Sequence, residues 1–360
     1  MRLLMVTARF PPFIGGIETH VREVAPRLAR LGVDVVVLTC DPTGQLPPNE
    51  IVDDVEVVRI PAYPRNRDYY LAPGIFAHLR AERYDVVHLQ GYHTLVAPLT
   101  MLAARQAGIP YVVSFHSGGH SARFRRLARG AQRLVLRPGF MAASRLIAVS
   151  RFELNLFRRS LRLSSSRFAM IRNGCLMPSP STVPDPEAPQ VLSVGRLEQY
   201  KGHHRLIAAW PYVLAGAPAA RLRILGVGGY ERELRRQVRA LGLDASIEIT
   251  SIPAGNPQAM ADALGQATVV ALLSDYEAHP VAVVEALAVG RPVLASRSTG
   301  LGEIVAAGLA RGVASDATAK QVAVEILRQL DDPLAADLTT LPTWDDCATQ
   351  LHNLYRSVRN

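Results

Sequence analysis

The chain has 360 residues, 49% hydrophobic and 20% charged, with 40 basic against 31 acidic side chains and a formal net charge of +9 at pH 7. That length exceeds one ordinary domain and suits two with sizeable cores. The composition excludes a disordered chain, and no apolar run nears the ~18 residues of a membrane-spanning helix.

The opening Met1 to Thr7 is apolar but short, and Phe10-Pro11-Pro12 follows where a signal peptide needs a longer apolar core. It reads as a first strand. Apolar runs follow at Val33 to Thr39, Val55 to Ile60, Val86 to Leu89, Tyr111 to Phe115 and Leu146 to Val149, separated by helical patterns such as Thr19 to Leu31. Continuous rather than alternating apolar runs predict parallel strands covered by helices on both faces. A second series begins at Val191 to Val194 and continues through Leu222 to Leu225, Ile247 to Thr250, Thr268 to Leu273 and Pro292 to Ala295. Between the series, residues 178–190 carry Pro178, Pro180, Pro184, Pro186 and Pro189, a composition that predicts an extended linker. The expected organisation is an α/β chain with domains at 1–177 and 191–342, and a helix at 343–360 folding back to the first domain. Cys40, Cys175 and Cys347 are widely separated and form no metal or redox spacing, so a reducing cytoplasm is expected.

Doubly wound sheets bind ligands beyond the carboxyl ends of their strands, and the chemistry-bearing loops fall there. The first, Phe10 to His20, contains Gly15-Gly16 before a helix, which reads either as a tight turn or as backbone amides open to an anion. It lacks the G-x-G-x-x-G spacing of a dinucleotide site, which argues against a dehydrogenase. The second, Val194 to Gly202, puts Arg196 and Lys201 around a short turn, either as solvated cations or as a pair able to neutralise a departing diphosphate. The third, Ser274 to Pro280, holds Glu277 and leads into a helix carrying Glu285, whose first amides, around Val281 and Ala282, are open to phosphate or sugar hydroxyls.

Gly15-Gly16, VGRLEQYKG and EAHPVAVVEALAVGRPVLAS together resemble the motif set of family-4 retaining glycosyltransferases, which include bacterial phosphatidylinositol mannosyltransferases and relatives of sucrose and glycogen synthases. The likeness runs from the first strand through Ile171 to Gly174 to the helix with Trp344. It implies a GT-B fold: two Rossmann-like, doubly wound parallel-sheet domains facing across a cleft, the first binding the acceptor and the second the nucleotide sugar. It further implies that Arg196 and Lys201 grip the donor diphosphate, that Glu285 binds the ribose, and that Glu277 contacts the donor sugar with His116 near it. The amides around Gly16 would complete the phosphate site, and Ser298 to Glu303, with Gly300 and Leu301, would border it. Two positions depart from the pattern: Ser117 follows His116 where many members have Asp, and Ala278-His279-Pro280 replaces Gly-Phe-Gly after Glu277. Pro280 has no amide hydrogen, which removes one sugar contact.

The implied reaction is retaining transfer of a hexose from a nucleoside diphosphate sugar to a hydroxyl, with the leaving phosphate helping to deprotonate the acceptor. No D-x-D triplet occurs, so no metal and no cofactor beyond the donor substrate is expected. The competing readings are a nucleotide-sugar epimerase or hydrolase on the same scaffold, or a non-catalytic binding subunit.

The excess charge is localised. Between Asp85 and Glu153 there is no acid, and nine arginines occur, at 105, 123, 125, 126, 129, 133, 137, 145 and 151; the rest of the chain balances at 31 of each sign. On a helical wheel Ser121 to Arg137 sorts Phe124, Leu127, Ala128, Ala131, Leu134 and Val135 to one face, and Arg123, Arg125, Arg126, Arg129, Arg133 and Arg137 to the other. Two readings follow: a helix packed by its apolar face with a solvated basic face, or a basic face meeting anionic headgroups or a phosphate-bearing acceptor at the inner membrane surface. Few aromatics interleave these arginines, which disfavours nucleic acid.

Overall fold

The computed structural model describes the chain from Met1 to Arg359 apart from residues 14, 68–69, 118–122, 186 and 254–255, and apart from the side chains of 123–129. It contains two compact units, one made of Met1–Ser117, Phe124–Gly174 and Pro342–Asn360, the other of Gly118–Arg123 and Cys175–Leu341.

The first unit is built on β1 (Arg2–Thr7), β2 (Asp34–Asp41), β3 (Asn49–Val52), β4 (Val55–Pro61), β5 (Val86–Gln90), β6 (Tyr111–Ser114), β7 (Arg145–Ala148) and β8 (Phe168–Met170). They form one sheet in the order β3-β4-β2-β1-β5-β6-β7-β8, parallel except for the β3–β4 hairpin. Helices α1 (Gly16–Arg30), α2 (Gly74–Ala81), α3 (Val96–Gln106), α4 (Arg123–Ala142) and α5 (Arg151–Leu161) connect them. The strands β1, β2 and β5 are almost wholly buried, as expected of strands with helices on both faces. One face packs Leu4, Val6 and Leu89 with Met101 and Phe140; the other packs Leu3, Met5 and Val37 with Val21, Leu28, Trp344 and Tyr355.

The second unit carries β9 (Gln190–Val194), β10 (Arg221–Leu225), β11 (Ile247–Thr250), β12 (Val269–Leu272), β13 (Val293–Ser296) and β14 (Arg311–Val313), all parallel in the order β11-β10-β9-β12-β13-β14. Its helices are α6 (His203–Gly216), α7 (Glu231–Ala240), α8 (Pro257–Gln266), α9 (Val281–Ala288), α10 (Thr299–Ala306) and α11 (Ala319–Asp331). Trp210, Ile207 and Val213 of α6 are fully buried against one face of this sheet. The strand order reverses between β9 and β12 here, and between β1 and β5 in the first unit. Those are the topological switch points at which open α/β sheets take ligands. The last helix, α12 (Trp344–Arg359), belongs to the first unit, where Trp344, Cys347, Leu351 and Tyr355 are buried beside α1.

In α4 the structure corrects the first reading of the basic helix. The side chains of Arg123, Arg125, Arg126 and Arg129, with those of Phe124, Leu127 and Ala128, lie outside the described residues. From Gly130 onward the wheel separates the residues as predicted, but the helix is turned the other way: Leu134 and Val135 are 71% and 75% exposed, while Arg133 and Arg137 face the body of the unit. The cause lies in the neighbours. The Arg133 guanidinium stands 6.0 Å from the Phe157 ring centroid, and Arg137 Nε donates to the Leu161 carbonyl at 2.9 Å, satisfying an orphan acceptor at the end of α5. Leu136 and Phe140 on the same side are buried, each contributing roughly 1.5–3 kcal/mol. No described helix is long and apolar enough to cross a membrane.

Candidate active site

In the second unit the loops after β9 and β12 flank the switch point. Lys201 ends the short turn after β9, and its Nζ lies 2.5 Å from Glu277 Oε1, in the loop after β12. Both side chains are largely buried, at 16% and 13% exposed. Gly202 permits this approach: its φ is +77°, and a Cβ there would sit 2.1 Å from the Leu273 carbonyl oxygen. The pair therefore depends on a backbone contact only glycine allows.

Arg196 reaches outward from the same loop. Its Nη2 donates to Tyr200 Oη at 2.7 Å, its Nη1 lies 3.4 Å from Glu198 Oε1, and its side chain stays 63% exposed. A buried histidine holds the loop's backbone: His203 Nε2 donates to the Arg196 carbonyl at 3.3 Å while Nδ1 bonds Ser193 Oγ at 2.9 Å. Burial pulls His203 down to about 4, so it is neutral near pH 7.

Glu277 is held from its other side by the start of α10. Its amide donates to Thr299 Oγ1 at 2.9 Å, and the Gly300 amide donates to its carbonyl at 2.8 Å. A Cβ on Gly300 would lie 2.4 Å from the Ala278 carbonyl oxygen. Leu301 is fully buried in the core beneath. Pro280 precedes α9, and Val281 and Ala282 occupy the first turn, whose amides lack partners within a helix. Glu285, one turn further, is half-buried, and desolvation pushes its carboxyl up to about 7.

In the first unit, Gly15 precedes α1, Gly16 opens it, and Gly16 is exposed. His116 follows β6 with a φ of +45°, and its Nε2 donates to Gln90 Oε1 at 2.8 Å, which assigns the proton to that nitrogen. Gln90 closes β5 and is buried, its amide nitrogen 3.1 Å from Nδ1 of His88. His20 of α1 stands 4.7 Å from His116 between ring centroids and bonds Asn173 Oδ1 at 2.9 Å; burial pulls it down to about 4 against that bond.

Ser117, which departs from the Asp that the resemblance leads one to expect, has a local explanation. Its amide and hydroxyl both donate to Glu153 Oε1 at 2.6 Å, and the Val149 amide donates to Oε2 at 2.9 Å. Glu153 is fully buried, and burial pushes its carboxyl up while those donors oppose it. A carboxylate at 117 would face a second carboxylate; a serine donates instead.

The motif reading omitted Gln90, Glu153 and His203 and gave Tyr200 and Thr299, within its segments, no role of their own; all five position the named side chains. Gln90 was findable as a polar residue ending an apolar strand. Glu153 and His203 are sequence-silent, because their partners are backbone groups and hydroxyls fixed by the fold.

Two doubly wound parallel sheets, with paired cations and carboxylates in the loops beyond the strand ends, define a glycosyltransferase of the GT-B class using a nucleotide-sugar donor. Family comparison agrees: the model described as Glycosyltransferase Family 4 matches residues 14–175, and that described as Glycosyl transferases group 1 matches residues 179–340. The chain is 30% identical to D-inositol 3-phosphate glycosyltransferase of Nocardiopsis dassonvillei over 95% of its length and 90% of the relative's. It is 28% identical to glycogen synthase of Mycobacterium tuberculosis over 100% and 95%. In fold it resembles sucrose-phosphate synthase from Thermosynechococcus elongatus, with a TM-score of 0.78, 21% identity, and 99% and 98% of the two chains covered. The chain belongs to the family-4 glycosyltransferases.

Proposed function

We propose that this enzyme transfers a hexose from a nucleoside diphosphate sugar to an acceptor hydroxyl with retention of anomeric configuration and without a metal ion. The observation that carries this reading is the Lys201–Glu277 pair bridging the two loops at the β9/β12 switch point, with Arg196 on the same loop. The bond between the anomeric carbon and the β-phosphate oxygen breaks, the acceptor oxygen bonds that carbon on the same face, and the acceptor proton passes to the departing phosphate. Arg196 and Lys201 neutralise the charge that grows on the diphosphate. Glu277 receives sugar hydroxyls, Glu285 the ribose, and the first-turn amides at Val281 and the backbone at Gly300 and Leu301 border the phosphates. The Gly15-Gly16 amides and His116 are assigned to phosphate and sugar by family resemblance.

The acceptor we infer carries a phosphate or a lipid-linked phosphate, a reading supported by the acid-free arginine region and by a relative named for D-inositol 3-phosphate. Cys40, Cys175 and Cys347 form no disulfide among the described residues, which suits a cytoplasmic setting.

Sugar nucleotides screened for protection against thermal unfolding identify the donor, since a ligand of the native state alone raises apparent stability. With that donor, proton NMR of the product should reveal the donor's own anomeric configuration, and turnover should survive EDTA. An inverted product overturns retention, and loss of turnover restored by magnesium or manganese overturns metal independence.

A further inference from the structure

The reversed face of α4 leaves an apolar stripe that the fold does not use. Ala131, Leu134, Val135, Pro138, Met141 and Ala142 recur at helical spacing and are all exposed, Leu134 by 71%, Val135 by 75% and Met141 by 47%. Beside it α3, whose Met101 packs against Gly139 of α4, presents Leu95 and Leu102 at 47% and 48% exposure. Single exposed leucines are ordinary; a run of exposed apolar residues at helical spacing, beside a helix with exposed leucines of its own, marks an interaction surface.

The surrounding charge identifies what fits it. From Val86 to Pro184 the chain contains fourteen arginines, no lysine and a single acid, Glu153, which is buried and occupied by the amides and hydroxyl of Val149 and Ser117. The helices against which α4 packs carry exposed Arg105 on α3 and Arg158 and Arg159 on α5, with Arg162 just beyond, and among the described residues none of the four forms an ion pair. Arg167 caps the end of the stripe, its Nη2 donating to the Met141 carbonyl at 2.8 Å.

We propose that this α3–α4 face docks the enzyme on an anionic lipid bilayer, the stripe entering the acyl boundary and the flanking arginines meeting headgroup phosphates. A bilayer satisfies both features at once, because its apolar interior lies directly beneath a layer of negative charge. A second copy of the chain fits poorly: the two apolar stripes would meet, but the arginines of the neighbouring helices would bring like charge to both sides. The inference does not depend on the sugar or the reaction, and its test needs neither donor nor acceptor.

The full chain is cosedimented with vesicles of phosphatidylglycerol and phosphatidylcholine, or of phosphatidylcholine alone, at low and high salt. Wild type should pellet with the anionic vesicles at low salt and several-fold less at high salt. Leu134→Asp combined with Val135→Asp should lower partitioning at least about tenfold, because two charges would enter the acyl boundary. Ile51→Asp, at a 68% exposed apolar residue on the strand at the far edge of the sheet, should pellet as wild type does. Circular dichroism and the unfolding midpoint verify that each variant is folded. The proposal is overturned if wild type ignores anionic vesicles, if the double variant pellets undiminished, or if ultracentrifugation finds a wild-type dimer that this variant dissolves while vesicle binding is absent.

Discussion

Lys201 Nζ meets Glu277 Oε1 at 2.5 Å across 76 residues of sequence, joining the loops that follow the two strands at which the second sheet reverses its order. Since both side chains are largely shielded, removing one partner leaves the other poorly solvated. Lys201→Met and Glu277→Gln should each destabilise the chain by about 1–3 kcal/mol, and the double variant by less than the sum of the two. Urea unfolding of all four proteins measures that coupling. Turnover should fall in every variant, so a folded double variant with unchanged turnover would remove the pair from the catalytic machinery.

Arg196 makes the opposite prediction, because its side chain is mostly in solvent. Arg196→Ala should leave the urea midpoint nearly unchanged while lowering turnover by on the order of 100-fold, the loss expected when a preorganised charge aimed at a leaving group is removed. Arg196→Lys should recover only part of it, since an ammonium cannot reproduce the planar fork. Full activity in a folded Arg196→Ala protein removes the leaving-group assignment.

Glu285 links stability to pH. Burial raises its carboxyl from the usual 4.5 to about 7, so the folded state favours the protonated form. The associated stability is fully present below pH 4.5 and is lost as pH rises through 7. Glu285→Gln should therefore match wild type near pH 4.5 and exceed it by about 1–3 kcal/mol at pH 8, read from unfolding at both values. Its affinity for free nucleoside diphosphate should fall, whereas Glu277→Gln should retain that affinity. Equal losses in the two variants contradict the ribose assignment.

The long parallel strands were legible because burial on both faces demands a continuous apolar run, as in Leu3 to Val6 and Val269 to Leu272. Three short strands escaped that pattern. Asn49–Val52 is half exposed, while Phe168–Met170 and Arg311–Val313 are too brief to show any period. Arg196, Lys201, Glu277 and Glu285 stood out through their motifs. The residues that hold them, His203 beneath the Arg196 carbonyl and Thr299 at the Glu277 amide, carry no local signature.

What the amino-acid order determined by itself was periodicity and chemistry: two series of buried strands, the loops that end them, an arginine-rich region with almost no acid, and a helix with one apolar and one basic side. Those properties depend only on neighbours within a few residues. Tertiary packing decided which side of that helix turns inward, because the answer lay with the Phe157 ring and the Leu161 carbonyl on another helix. It also decided that Lys201 and Glu277 pair, through the close passage of Gly202 over the Leu273 carbonyl, a contact no local pattern encodes.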